Sequence, residues 1–392
     1  MSDAITNVAL SDDLARLRGL DGVKWSRYPA DVLPCWVADM DLPTAPVVAE
    51  AVRALLDRRD FGYSFTAMAA LPQAWHEWLS RRHGWSPGAE GIRLFTDVLQ
   101  AVEIALWAGT APDDGVVLFT PVYPPFFRCI TGAGRRVVDC ELEPGTWRLD
   151  AARLEAAVTE GGDGGSRVSA ILICNPHNPT GRAFTANELE IVAEVARRHD
   201  LLVISDEIWA DIVFPGVRHI PFESLPAAEG VRVVTATAAS KAFNIAGLRC
   251  AIGHIADPAI EATVAVLPDH LLGTVATPGA AATLAALTQG EPWLADTVAF
   301  LGAQRDHLAA RVSAELPAAR MTLPEATYLA WLDLRAYGLG DDPAAWLLEH
   351  ARVALNPGPD FGEHGHGFVR LNFATTRAVL DEALDRIVAA LG

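Results

Sequence analysis

Lysine is scarce in this sequence, and positive charge is scarce overall. The 392 residues include two lysines, Lys24 and Lys241, and lysine plus arginine sum to 31 against 49 for aspartate plus glutamate. The resulting net charge of −18 repels phosphate backbones, which excludes nucleic acid as a primary partner. Any anionic ligand must therefore be bound by a local cluster of cations.

Cysteine is also sparse, and its spacing excludes two classes of small cross-linked domain. The five cysteines are scattered and contain no Cys-x-x-Cys pair, which argues against a disulfide framework or a zinc ribbon. We expect each of them to be a small core residue. They are Cys35, Cys129, Cys140, Cys174 and Cys250.

Long apolar runs are absent too. No stretch reaches the roughly 18–20 apolar residues of a membrane span. The first residues, MSDAITNVALSDDLARL, lack the basic-then-apolar pattern of a signal peptide. We therefore expect a soluble, cytoplasmic protein with no membrane partner.

Length and composition favour a two-domain α/β protein. Hydrophobic residues make up 51% of the chain and charged residues 20%, which excludes a disordered chain. A length of 392 residues exceeds the roughly 250–300 at which one core stops growing. Strand-like runs alternate with helix-like ones from about 90 to 255, which indicates a mostly parallel sheet covered by helices. We predict an N-terminal segment (1–45) that packs on the small domain, a large domain (46–275) and a smaller α+β C-terminal domain (276–392).

Polar or turn-forming residues follow the apolar runs at 116–119, 168–174, 201–205 and 231–235. Because ligands bind beyond the carboxyl ends of parallel strands, these residues are candidates for one shared site. A capping box at 185–188 predicts that a helix starts after the second of these runs. The candidates are Tyr123, Asn178, Asp206, Ser240 and Lys241.

Three of these side chains indicate a particular chemistry. Lys241 lies among apolar residues, where its pKa would be lowered, and an unprotonated amine is what Schiff-base chemistry requires. Asp206 at a strand end needs a cationic partner, such as the protonated pyridine nitrogen of pyridoxal phosphate (PLP); the alternative is a cap for a helix that begins at Glu207. The amide of Asn178 could donate to a phenolate oxygen, or the residue could simply form a turn.

Several longer motifs resemble those of one enzyme family. Asn-Pro-Thr-Gly (178–181), Ser-Asp-Glu-Ile (205–208) and the stretch 240–249 resemble fold-type I PLP enzymes of the class I/II aminotransferase superfamily. The stretches 36–41, 61–64, 327–334 and 367–372 are similar to the bacterial cystathionine β-lyase (C–S lyase) branch, the MalY/PatB type. The resemblance extends from about residue 30 to 390.

The resemblance implies a role for each matching residue. Lys241 would attach to PLP and move the substrate α-proton, Asp206 would hold the pyridine nitrogen protonated, and Asn178 would bind the phenolate oxygen.

The resemblance also implies substrate and subunit contacts. Arg370 would bind the substrate carboxylate, and Tyr328 would contact the substrate as well. A homodimer is implied as well, because Tyr63 would reach the phosphate in the neighbouring subunit. The remaining cofactor contacts are Tyr123 over the ring and Ser240, Arg249 and the helix start at Val98 and Leu99 around the phosphate.

Three positions depart from the family pattern. Asp97 stands where a small or hydroxyl residue usually begins the phosphate-binding helix, and its carboxylate would repel phosphate unless it faces away, although Asp is also a good N-cap. Ala238 replaces a hydroxyl residue, and Trp209 replaces a tyrosine that usually donates to the phenolate oxygen.

Other polar groups have a functional and a structural interpretation. His177 is a candidate general base, and His364 with His366 is a candidate metal pair, although no further ligands lie nearby in the sequence. The glycine-rich stretch 160–165 is either a phosphate loop or a surface loop. We expect Trp75 and Trp78 to lie in the core and the pairs Arg135-Arg136 and Arg197-Arg198 to be solvated.

The leading functional hypothesis is a PLP-dependent β-lyase that cleaves an S-substituted cysteine. An aminotransferase shares all but the branch-level motifs, and it would require a keto-acid acceptor. A third hypothesis is diverted PLP chemistry, such as decarboxylation or oxidative deamination of a cysteine conjugate in secondary metabolism. A non-catalytic role with a protein partner is the fourth.

Overall fold

The computed structural model describes residues 10–162, 166–268 and 273–392. The strands of the described residues are β1 (Leu33–Pro34), β2 (Ile92–Phe95), β3 (Gly115–Thr120), β4 (Arg136–Glu141), β5 (Val168–Cys174), β6 (Leu202–Asp206), β7 (Arg232–Thr237), β8 (Ala251–Ile255), β9 (Arg320–Met321), β10 (Leu329–Asp333), β11 (Val353–Ala354), β12 (Asn356–Pro357) and β13 (Phe368–Asn372). The main sheet has seven of these strands in the order β2-β8-β7-β6-β5-β3-β4, and every strand except β8 runs in the same direction. The predicted mostly parallel sheet is therefore confirmed.

The central strands are apolar along their whole length because both faces of the sheet are covered. Val116 and Leu118 on β3 belong to the core on one face, whereas Val117 and Phe119 belong to the core on the other. Side chains alternate in direction along a strand, so an uninterrupted apolar run fills both cores.

Helices cover the two faces of this sheet, and local signals set where several of them begin. The predicted capping box is present: Glu188 N donates to Thr185 Oγ1 and Thr185 N donates to Glu188 Oε2. The helices of the described residues are α1 (Leu10–Arg18), α2 (Val23–Ser26), α3 (Pro46–Arg58), α4 (Thr66–His83), α5 (Val98–Gly109), α6 (Pro125–Gly132), α7 (Ala151–Glu160), α8 (Ala186–Arg198), α9 (Ala239–Ala242), α10 (Pro258–Ala265), α11 (Thr277–Gln289), α12 (Glu291–Glu315), α13 (Pro343–His350) and α14 (Arg377–Leu391).

The C-terminal part of the chain forms a second, antiparallel sheet in the order β12-β13-β10-β9. The N-terminal segment joins this region, because β1 pairs in parallel with β11, with Leu33 opposite Val353. Helix α11 packs against α3 and α4. The predicted domain limits at 45 and 275 stay a prediction.

Other sequence expectations can be placed in this fold. All five cysteines are buried free thiols, and Trp75 and Trp78 are buried as expected. The expectation for Arg135 is wrong: it is buried, and its guanidinium donates to the Thr110 hydroxyl and carbonyl at 2.8 and 2.6 Å. Residues 163–165 of the glycine-rich stretch lie outside the described residues. No helix in the described ranges is long and apolar enough to cross a bilayer.

Candidate active site

The carboxyl edge of the main sheet opens into a cavity of about 400 Å³. The N-terminal segment supplies Trp36 and Ala38 to its wall, and the second sheet supplies Arg370. Nine of the predicted site residues line this one cavity: Val98, Leu99, Tyr123, Asn178, Asp206, Ser240, Lys241, Arg249 and Arg370.

Lys241 lies on the short helix α9, directly after β7. Its Nζ donates to the carbonyl oxygen of Ala38 at 2.9 Å and lies 5.7 Å from the centre of the Trp209 ring. Burial lowers the pKa of this amine, while the negative charge of Asp39 opposes the shift. A neutral carbonyl partner and a desolvated position favour the uncharged amine, which is the nucleophilic form.

Asp206 is the last residue of β6 and is buried at the base of the cavity. Its Oδ1 accepts from the backbone N–H of Ile208 at 2.9 Å. The predicted alternative of a helix cap is wrong, because residues 208–211 form a turn and not a helix. Burial raises the pKa of this carboxyl to about 7, so a cation placed beside it would be strongly favoured.

Arg370 and Asn178 form a pair on the wall of the cavity. Arg370 Nη1 donates to Asn178 Oδ1 at 2.8 Å, and Nη2 donates to Asn356 Oδ1 at 2.5 Å and to the Trp36 carbonyl at 3.1 Å. Its Nε is buried without a partner, and among the described residues no carboxylate lies within 4 Å of the guanidinium. Burial lowers the pKa of this side chain to about 10. A buried cation held by neutral groups is a site for an anion.

The start of α5 forms another end of the cavity, together with Ser240 and Arg249. Asp97 is the N-cap of this helix: its Oδ1 accepts from Gln100 N at 2.7 Å. Its Oδ2 forms an ion pair with Arg249, so Asp97 does not face away from the cavity. Arg249 itself has a left-handed backbone conformation, with φ of 52°, which is costly for a residue with a Cβ.

Tyr123 follows β3 and is half-buried. Burial raises the pKa of its phenol to about 12, so the hydroxyl stays protonated at neutral pH. Its ring meets Phe126 edge to face, with centroids 5.4 Å apart. This packing fixes an aromatic surface at the cavity wall.

Two predicted site residues do not line the cavity. Tyr328 is buried behind Trp209, with ring centroids 4.8 Å apart, and its hydroxyl donates to the Ala38 carbonyl at 2.8 Å. Tyr63 is fully exposed. Their predicted contacts with substrate and with a neighbouring subunit stay predictions.

Sequence reasoning missed the group that Lys241 contacts. The Ala38 carbonyl accepts from both Lys241 and Tyr328, and a backbone oxygen carries no residue-type signal. The segment around it is held by Asn372, whose Nδ2 donates to the carbonyls of Val37 at 2.6 Å and Asp39 at 2.8 Å. The motif 36–41 was visible in the sequence, but its role was not.

The histidine alternatives have structural explanations. His177 is buried between the Thr180 hydroxyl at 2.9 Å and the Phe119 carbonyl at 3.2 Å, and burial lowers its pKa to about 4. His364 contacts the carboxylates of Asp139 at 2.8 Å and Glu141 at 3.2 Å. The described residues contain no group of three or more histidine, cysteine or acidic side chains placed to hold a metal ion.

Comparison with known proteins supports the resemblance of the motifs. The family aminotransferase class I and II matches residues 36–387. The cystathionine β-lyase PatB of Bacillus subtilis is 36% identical over 95% of this chain and 97% of its own. Among solved structures, the PLP-bound C–S lyase of Staphylococcus hominis has a TM-score of 0.88 at 29% identity, covering 95% of this chain and 96% of that chain. Cystalysin of Treponema denticola, which contains a PLP cofactor, has a TM-score of 0.89 at 30% identity, again covering 95% and 96%. The chain therefore belongs to the aminotransferase class I and II family, in the branch of its cystathionine β-lyase and C–S lyase relatives.

Proposed function

We propose that this protein is a PLP-dependent C–S β-lyase, which converts an S-substituted L-cysteine such as cystathionine into a thiol, pyruvate and ammonia. One observation carries the proposal. A single cavity brings together an amine with a lowered pKa (Lys241), a buried carboxyl (Asp206) and a buried guanidinium that has no acidic partner among the described residues (Arg370).

The groups around the cavity fit PLP. Within the described residues, the second carboxylate oxygen of Asp206 receives no hydrogen bond. Asn178 uses its amide oxygen for Arg370, which leaves its amide nitrogen to donate to a phenolate oxygen. Asp206 would pair with the protonated ring nitrogen and Lys241 would hold the aldehyde carbon. The ring would lie under Tyr123, and its phosphate would meet Ser240, Arg249 and the backbone N–H groups of Val98 and Leu99.

The chain's own residues then position the substrate and move its proton. When bound, PLP supplies an electron sink for the electron pair left at the substrate Cα. Arg370 binds the substrate carboxylate, and its Nε, which has no partner in the described part of the chain, provides a donor for this purpose. Lys241 takes the Cα proton as a general base, for which a lowered pKa is favourable.

The reaction balances without any further reactant except water. The Cα–H bond breaks with its proton passing to Lys241, and the Cβ–S bond breaks with its electron pair leaving on the thiolate. Reaction of the released aminoacrylate with one water gives pyruvate and ammonia.

A direct assay separates this function from transamination. Protein loaded with PLP is incubated with cystathionine or simple S-alkyl cysteines, without any keto acid, and pyruvate and free thiol are measured. The proposal predicts equal amounts of the two products. Product formation only after addition of a keto acid would instead support an aminotransferase, the activity after which the family is named.

The proposal includes a homodimer in which Tyr63 reaches the cofactor phosphate of the partner subunit. Tyr63 is fully exposed and is flanked by Phe61 at 63% and Phe65 at 83% exposure, and exposed aromatic patches of this kind commonly mark interfaces. Mixing Lys241→Ala and Tyr63→Ala subunits tests it, because a mixed dimer regains one intact site. At equal proportions we expect about a quarter of the wild-type activity, whereas no recovery would contradict the shared site.

A further inference from the structure

Asp97 contacts both positively charged features at one end of the cavity, the start of α5 and the guanidinium of Arg249. Its Oδ1 accepts from Gln100 N at 2.7 Å at the start of α5, and its Oδ2 forms an ion pair with Arg249. A helix N-terminus carries a partial positive charge that favours anions. The two features that would attract a phosphate are therefore already in contact with a carboxylate of the same chain.

We infer that Asp97 competes with the cofactor phosphate for Arg249 and for the start of α5, and thereby weakens the affinity for PLP. The inference rests on the proposed binding of PLP in this cavity. A phosphate ester carries about −1.5 to −2 charges at neutral pH. Because Asp97 is fixed to the helix start, it can lose its contact with Arg249 but cannot move far away, so like-charge repulsion persists after the phosphate binds.

The other charges of the cavity do not compensate for this. Among the described residues that line it, the remaining cations are Lys241 and Arg370, and these contact Ala38 and Asn178. The Arg249–Asp97 pair has no net charge, so Ser240 and backbone N–H groups are left as neutral donors. A chain with a net charge of −18 adds no general attraction for a phosphate.

The consequence is a cofactor that is held loosely at its phosphate end. The fraction of protein loaded with PLP then follows the free PLP concentration, because loading is set by the ratio of that concentration to Kd. Arg249 is 60% exposed in its side chain, so salt screens the competition as well.

A second aspartate offers a matched control. Asp257 is the N-cap of α10: its Oδ1 accepts from Ala259 N at 2.7 Å, and its Oδ2 accepts from Arg232 Nε at 2.6 Å. This is the same combination of helix cap and arginine partner. Arg232 begins β7, whereas Lys241 follows the end of that strand, so Asp257 lies at the edge of the sheet away from the cavity.

The test compares the Kd for PLP with the Kd for pyridoxal, which lacks the phosphate, in the cofactor-free full-length protein. Binding is followed by the visible absorbance of the bound aldehyde for wild type, Asp97→Asn and Asp257→Asn. Asparagine keeps the cap acceptor and the volume while it removes the charge. We expect Asp97→Asn to lower the Kd for PLP about three- to thirtyfold at low salt, and less at high salt. The Kd for pyridoxal should change less than about twofold, and Asp257→Asn should change neither value.

Each outcome decides the inference. An unchanged or higher Kd for PLP in Asp97→Asn overturns it, and so does an equal gain with pyridoxal, since neither would reflect competition with phosphate. Should Asp97→Asn fail to fold, Asp97→Ser also keeps a cap acceptor and tests the same point. Wild-type protein that binds neither aldehyde would overturn the proposed PLP function itself, which distinguishes the two failures.

Discussion

The two lysines of the chain reach the same short segment of backbone, yet their surroundings differ: Lys24 is buried, whereas Lys241 is half-buried at the cavity. Lys24 Nζ donates to the Asp41 carboxylate at 2.8 Å and to the Asp39 carbonyl at 3.0 Å. Lys241 Nζ donates to the Ala38 carbonyl at 2.9 Å, and no carboxylate of the described residues lies within 4 Å of it. One lysine has an acidic partner, and the other has a neutral one.

This difference shows that burial alone does not make a lysine reactive. A carboxylate partner stabilises the ammonium form, which is not nucleophilic, whereas a neutral partner in a desolvated place favours the free amine. Lys24 therefore joins two parts of the N-terminal segment, and Lys241 is the residue suited to chemistry on an aldehyde.

Replacing Lys241 should have the largest effect. We expect Lys241→Ala to lose β-elimination by at least about a thousandfold and to lose the visible absorbance of bound PLP, with little change in the free energy of unfolding. Steady-state kinetics and absorbance spectra measure both. Lys24→Arg is the control, and it should keep the absorbance; a retained band in Lys241→Ala would contradict the assignment.

Replacing Lys24 should instead affect stability. Lys24→Met leaves the buried Asp41 carboxylate without its cation, and removing one partner of a buried ion pair costs about 3–5 kcal/mol. Denaturant unfolding of the cofactor-free protein measures this loss, and Lys24→Arg, which keeps the charge, should lose less. A loss below about 1 kcal/mol for Lys24→Met would mean that the pair is not structural.

Asp206 should make the stability of the cofactor-free protein depend on pH. Its folded pKa of about 7 lies above the ordinary value of 3.8, so between these limits the folded state keeps a proton that the unfolded chain releases. Stability therefore decreases as pH rises through this window, by at most about 4 kcal/mol at about 1.36 kcal/mol per pKa unit. Asp206→Asn should remove this component from a series of unfolding curves. An identical pH dependence in both proteins would show that Asp206 titrates normally.

Arg370 adds a third cation to the comparison, and its replacement should have the smallest effect. Arg370→Ala removes hydrogen bonds to a substrate carboxylate that is present in both the ground state and the transition state. We expect KM to rise about 10- to 100-fold while kcat changes little. Substrate-dependence curves measure the split; a fall in kcat alone would argue against carboxylate binding.

Much of the fold could be predicted because its signals are local. The apolar runs became β3, β5, β6 and β7, and the capping box at Thr185 begins α8. Because ligands bind beyond the carboxyl ends of parallel strands, the sequence predicts that Asn178, Asp206 and Lys241 share one site, and all three line the same cavity.

The rest depended on contacts between distant parts of the chain. Arg135 is buried with Thr110 as its hydrogen-bond partner. Since Thr110 lies 25 residues away in the sequence, no pattern around Arg135 reveals that contact. The orientation of Asp97 depends on Arg249, and the acceptor for Lys241 is the backbone of Ala38. Backbone acceptors and long-range partners leave no signature in residue type or spacing.

The scarcity of lysine makes one measurement especially direct. Reduction of the PLP-loaded protein with borohydride fixes the cofactor to the amine that holds it, and mass spectrometry of the peptides identifies that residue. The account predicts that the adduct forms on the peptide containing Lys241 and not on the one containing Lys24. An adduct on Lys24, or none in a protein whose absorbance shows bound PLP, would contradict it.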